Sequence, residues 1–104
     1  MFTPVQLDKM RNFRYGMRAL HTIEKTLDVR IAKLDFDDLS QYQIAVIVWA
    51  GLVHEDQALN PEIVMDLIDQ YSSITEIAQV MSQAFQDAFS TGNEGKTQAA
   101  NLAK

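Results

Sequence analysis

Residues 40–54 read SQYQIAVIVWAGLVH, and no position from 44 to 53 carries a charge. On a helical wheel Ile44, Ile47, Val48, Gly51 and Leu52 share one face, while Tyr42, Val46, Trp49 and Val53 fill the opposite one. A helix that is apolar all round belongs inside a protein or a membrane. Its apolar core is too short for a bilayer, which needs roughly 20 such residues. Ser40 and Gln43 have the spacing of a capping box, in which each satisfies a free backbone donor of the other. The β-branched run Val46-Ile47-Val48 also suits a buried strand. The cap, the length and the helical patterns that follow favour a central helix with neighbours on both faces.

The flanking segments supply those neighbours. Thr3-Pro4-Val5-Gln6 has the signature of a short helix start, with Thr3 as cap and Pro4 in the first turn. From Met10 the apolar residues fall in helical register: Met10, Phe13, Met17, Leu20, Ile23 or Glu24, and Leu27. Gly16 interrupts that run at a cost of about 1 kcal/mol, so the spacing predicts a helix over Met17–Leu27 and leaves residues 3–15 open between helix and strand. Residues 28–39 form a connector with apolar anchors at Val29, Ile31, Leu34, Phe36 and Leu39, alternating as a short extended piece would. Asn60 and Pro61 mark another helix start. Ile63, Val64, Leu67, Ile68 and Tyr71 form its apolar arc. Ser73 and Glu76 make a second capping box, opening a helix with Ile74, Ile77, Ala78, Met81, Phe85, Ala88 and Phe89 inside. From Ser90 the chain turns polar (STGNEGKTQAANLAK), which predicts a disordered tail over 90–104 after a single domain over 1–89. The expected fold is all-α: a small helical bundle around a central apolar helix, with room for a short extended N-terminal or connector segment.

Composition narrows the function. At 104 residues and 47% hydrophobic, the chain suffices for one domain with its own core. It has no cysteine, so neither a disulfide framework nor a thiolate metal site is available. Met1-Phe2-Thr3-Pro4 lacks the basic start and apolar core of a signal peptide, and a soluble cytoplasmic protein is expected. The net charge of −5 is unevenly spread. Residues 1–34 hold seven Lys/Arg and three Asp/Glu, a net of +4; residues 35–104 hold two and eleven, a net of −9. Such polarity joins halves of one fold or pairs neighbouring copies.

Candidate chemistry is sparse. Asp35, Asp37 and Asp38 start like a calcium loop, but Leu39, Ser40 and Val46 stand where its fifth ligand, sixth-position Gly and twelfth-position Glu belong. His54-Glu55-Asp56 groups ligand-type residues, yet consecutive residues diverge and no second His sits at helical spacing, so capping and turn roles are expected. His21 and Glu24 read as an ordinary helix-surface pair. Arg11, Arg14, Arg18 and Lys25 would lie within about 60° on one helix flank at 100° per residue. That flank is a solvated basic face or a site for an acidic partner. Nucleic acid is the less favoured occupant, because the chain is acidic and no aromatic is interleaved for base stacking. No phosphate loop, nucleophile–base pair or apolar carboxylate pair is present in the sequence, and no enzymatic activity, cofactor or metal is expected.

One set of patterns resembles a known family. The run ALHTIEK (residues 19–25) precedes an apolar helix ending WAGLVHED (residues 49–56), followed by LNPEIVMDLID (residues 59–69) and ITEIAQVMSQAFQDAF (residues 74–89). Over residues 11–89 the chain resembles the tail assembly chaperones of long-tailed bacteriophages and prophages. Many relatives begin with a β-hairpin, whereas this N-terminus reads as helix or coil. The resemblance implies a non-enzymatic protein of the bacterial host cytoplasm, absent from the mature virion. It implies binding of the aggregation-prone tape measure protein, help in recruiting the major tail protein, and in many relatives a frameshifted longer form. The candidate partner-binding residues are the apolar Met65 and Tyr71, with Arg11, Arg14 and Arg18 as the basic alternative. A small helical nucleic-acid-binding regulator using those arginines is the alternative function.

Overall fold

The computed structural model describes residues 3–93. In order these form β1 (Thr3–Gln6), β2 (Met10–Phe13), α1 (Met17–Leu27), a 3-10 turn (Ile31–Lys33), α2 (Gln41–Leu52), α3 (Pro61–Tyr71) and α4 (Ile74–Asn93). The fold is mostly helical, with a small two-stranded antiparallel sheet. Helix α2 is the hub: α1, α3, α4 and β2 all pack against it. Its capping box is complete, with Ser40 Oγ accepting from Gln43 N at 3.1 Å and Gln43 Oε1 accepting from Ser40 N at 2.8 Å. Ala45, Val46, Ile47, Val48, Ala50 and Leu52 are all but inaccessible, so both faces are covered as expected. Each large apolar side chain buried this way stabilises the fold by about 1.5–3 kcal/mol. Tyr42, at the start of the helix, stays half exposed. Trp49 is partly buried, its indole N–H donating to Leu59 O at 2.9 Å.

The N-terminus corrects the all-α expectation. Thr3–Gln6 is a strand, not a helix start, and pairs antiparallel with Met10–Phe13 in the register Thr3↔Phe13, Pro4↔Asn12, Val5↔Arg11, Gln6↔Met10. The governing period is two. Val5 on β1 with Leu7 just past its end, and Arg11 and Phe13 on β2 with Tyr15 just past its end, alternate with exposed or half-exposed neighbours and are buried. Pro4 is tolerated because Asn12, its cross-strand partner, turns its N–H and C=O away from β1, making this a non-hydrogen-bonded pair.

Helix α1 begins and ends where its spacing predicts, with Gly16 as N-cap. Ile23, not Glu24, fills the inward position, and Asp28 closes the helix in the left-handed conformation (φ 56°, ψ 47°). Glu24 does not act as a surface partner of His21: its carboxylate accepts from Ile31 N at 3.0 Å and ties α1 to the connector. Met10 and Met17 are exposed, so the helical register extending back from Leu27 stops at Gly16.

Helix α3 starts with Asn60 Oδ1 accepting from Ile63 N at 2.8 Å and Pro61 in the first turn. Only Val64 and Ile68 of its apolar arc are fully buried; Ile63 and Tyr71 are exposed. Ser73 Oγ accepts from Glu76 N at 3.1 Å at the start of α4, whose Ile77, Met81, Ala84 and Phe85 complete the core while Ile74 stays outside. An aromatic chain crosses that core. Phe13 stacks on Tyr15 with centroids 5.6 Å apart, Tyr15 meets Phe85 at 4.3 Å, and Phe85 meets Phe36 at 4.9 Å. Helix α4 runs through Asn93, four residues past the expected domain end. The rest of the anticipated disordered tail lies outside the described residues. Among the described residues no helix is long and apolar enough to cross a membrane.

Candidate functional site

The residues singled out from sequence fall into three places. The first is the seam between β2 and the end of α2. Arg11 is not on a helix with Arg14 and Arg18. It lies on the inward face of β2, only 4% exposed. Its guanidinium donates to both carboxylate oxygens of Asp8, Nε to Oδ1 at 2.8 Å and a terminal nitrogen to Oδ2 at 2.9 Å, and it approaches Asp56 at 3.5 Å. The basic flank therefore loses its first member to an internal ion-pair cluster, because a buried charge requires partners. Hydrogen bonding from Arg11 holds the Asp8 carboxyl below its usual range, and Asp8 in turn raises the Arg11 guanidinium.

At the same seam Glu55 accepts from the backbone N–H of Asn12 at 3.1 Å and from its carboxamide at 3.0 Å. These bonds from Asn12 hold the Glu55 carboxyl below its usual range, aided by the nearby His54 and Arg11. The His54 ring nitrogen Nε2 lies 2.8 Å from Asn12 O, and Arg14 N donates to Gly51 O at 2.9 Å. Tyr15 Oη donates to Ile47 O at 2.7 Å, and burial pushes that phenol well above its ordinary value. Gly51 makes the approach feasible: a β-carbon there would stand 2.5 Å from Tyr15 Cζ and 2.8 Å from Phe13 Cδ1. The segment Gly51 to Asp56 is thus the dock for the hairpin, closing the free edge of β2 with side-chain partners. Sequence reading assigned His54, Glu55 and Asp56 to capping and missed this role. The alternation of Val5, Leu7, Arg11, Phe13 and Tyr15 was the available signal.

The second place is a cleft of about 530 Å³ between the start of α1 and the end of α2. Arg14, Met17, Arg18, Val53 and His54 are among its lining residues. Arg14 and Arg18 therefore do come together, though across a loop and a helix start and not along one helix. Met17 stands 88% exposed at this cleft.

The third place is the surface of α3. Tyr71 is 51% exposed and borders a shallow depression of about 460 Å³ with Pro4, Gln6, Glu76 and Val80. Met65 is partly buried. Six residues from Tyr71, it lies about 120° away around the helix, so the two do not form one patch. Tyr71 instead has the exposed Ile74 close by in the chain, across the α3–α4 turn.

Among the described residues no three His, Asp or Glu side chains are grouped to hold a metal ion. No protein-family model matches the chain, and neither a curated protein nor a solved structure does.

Proposed function

We propose that this protein is a tail assembly chaperone of a long-tailed phage or prophage, acting in the bacterial cytoplasm without catalytic activity. It holds the tape measure protein in a soluble form until the tail tube assembles, and helps to bring major tail protein to it. The observation that carries the reading is the pattern from Trp49 to Asp69, WAGLVHED followed by LNPEIVMDLID, which resembles that family. The two-stranded hairpin at the N-terminus, where the sequence left helix and strand open, is in keeping with relatives that begin with one.

The geometry favours an apolar contact over a basic one. Tyr71 and Ile74 are exposed on either side of the α3–α4 turn, and large apolar side chains left on a surface are the usual means of engaging apolar helical segments. Met65, partly buried on a different flank of α3, is a separate apolar candidate. The nucleic-acid alternative loses Arg11 to Asp8 and Asp56, and no specific observation favours it. Acidity of the chain as a whole suits a protein that must stay soluble while shielding an aggregation-prone client.

The test is co-expression with the tape measure protein encoded beside it. The proposal expects the tape measure protein to become soluble and to co-purify. Equal solubility without this chain, with no complex at micromolar concentration, overturns it.

A further inference from the structure

The cleft between the start of α1 and the end of α2 is positively lined in an otherwise acidic chain. The sequence carries 14 Asp/Glu and a net charge of −5, yet none of the described residues lining this space of about 530 Å³ is Asp or Glu. Arg14 and Arg18 both line it, and both are exposed. Arg14 is anchored through its backbone N–H, which donates to Gly51 O at 2.9 Å, and Arg18 stands in the first turn of α1. Among the described residues Arg18 has no salt bridge. Glu55 and Asp56, which follow the lining residue His54, are held by Asn12 and Arg11 at the hairpin seam and do not neutralise the cleft. Gly16 also lines it, in an extended conformation open to any residue (φ −98°, ψ −171°). An added β-carbon there would meet nothing within 4 Å. Neither backbone angle nor packing inside the fold calls for glycine, whose effect is to leave the main chain bare towards the cleft. The remaining surface is largely apolar: Ala50 is buried, Val53 half-buried and Met17 88% exposed.

We propose that this cleft binds a small phosphomonoester with a compact apolar body. Its phosphate lies between Arg14 and Arg18, and its body rests against Met17 and Val53. Two guanidinium groups match a phosphomonoester charge of about −1.5 to −2, and their planar forks suit its oxygens. No side chain caps α1, so the N–H groups of its first turn add donors beside Arg18. The volume falls within the roughly 300–1,000 Å³ of small-molecule sites, and such sites join an apolar wall to a few polar groups as this one does. The cleft shares no residue with the surface at Tyr71 and Ile74, so the proposal stands apart from the chaperone reading and its failure leaves tape measure binding untouched.

The test is an amide NMR titration of the full chain with phenyl phosphate. Signals of Arg14, Gly16, Arg18 and Val53 move together and saturate. Inorganic phosphate, which lacks the apolar body, binds severalfold more weakly, and uncharged benzyl alcohol leaves the signals in place. Arg18→Gln weakens phenyl phosphate binding about tenfold or more, as loss of a charge-assisted hydrogen bond does, with the melting midpoint unchanged. Gly16→Ser, whose hydroxyl would cap α1 and occupy the bare position, weakens binding while keeping the fold. Shifts that do not saturate overturn the proposal, as do phenyl phosphate binding no tighter than inorganic phosphate and a folded Arg18→Gln variant that binds as well as wild type. Binding of an oligoglutamate peptide at Arg14 and Arg18, with no response to phenyl phosphate, also overturns it and gives the cleft to a protein partner.

Discussion

Glu55 holds Asn12 with both carboxylate oxygens, one on its backbone N–H and one on its carboxamide, across 43 positions of sequence. That contact seats the hairpin on the end of α2. Glu55→Ala removes the acceptor for both bonds and is expected to destabilise the fold by about 1–2 kcal/mol. Thermal unfolding measures it, and amide exchange at Asn12 should accelerate more than at Ile47.

The seam also fixes how stability depends on acid. Asp8 and Glu55 both have folded-state values below their ordinary 3.8 and 4.5. A depressed carboxyl contributes stability above its unfolded value and loses it as pH falls through the folded one. Stability should therefore be level from neutrality down to about pH 5 and fall below it. Glu55→Gln should flatten part of that fall in denaturant titrations at pH 3–6.

Gly51 is required by distance, not by backbone angle. Its missing side chain is the space occupied by the Tyr15 ring, which is held at its far end by Ile47 O. Gly51→Ala should cost about 1–3 kcal/mol as an overpacking change, read as a lowered melting midpoint.

Asp28 is the one described non-glycine residue with a positive φ. The left-handed conformation costs an L-residue about 1–2 kcal/mol, a cost glycine escapes. Asp28→Gly should raise stability by about 0.5–1 kcal/mol, and a lower melting midpoint would contradict the assignment of that cap.

What the sequence disclosed follows from where local signals were strong. Ser40 with Gln43, and Asn60 with Pro61, encode helix starts within four residues, and both appear as read. The all-apolar run of α2 required cover on two sides and has it. Residues 3–15 stayed undecided between helix and strand because Met10, Phe13 and Met17 coincide with a helical period, while the deciding alternation through Arg11 places a charge on the buried face. Arg11 is legible there only with Asp8 and Asp56 in view, and Asp56 lies 45 residues away. The arc of α3 was read too wide for the same reason: Tyr71 has a core-like position but no neighbour to cover it.

The most direct test of the account separates the hairpin seam from the partner surface in one measurement: the yield of tape measure protein co-purified with each variant. Tyr71→Ser/Ile74→Ser alters exposed side chains and should lower that yield severalfold while leaving the melting midpoint near wild type. Glu55→Ala should lower the midpoint and leave the yield intact at temperatures where the variant is folded. A Tyr71→Ser/Ile74→Ser variant that folds normally and recovers the tape measure protein as well as wild type would contradict the account.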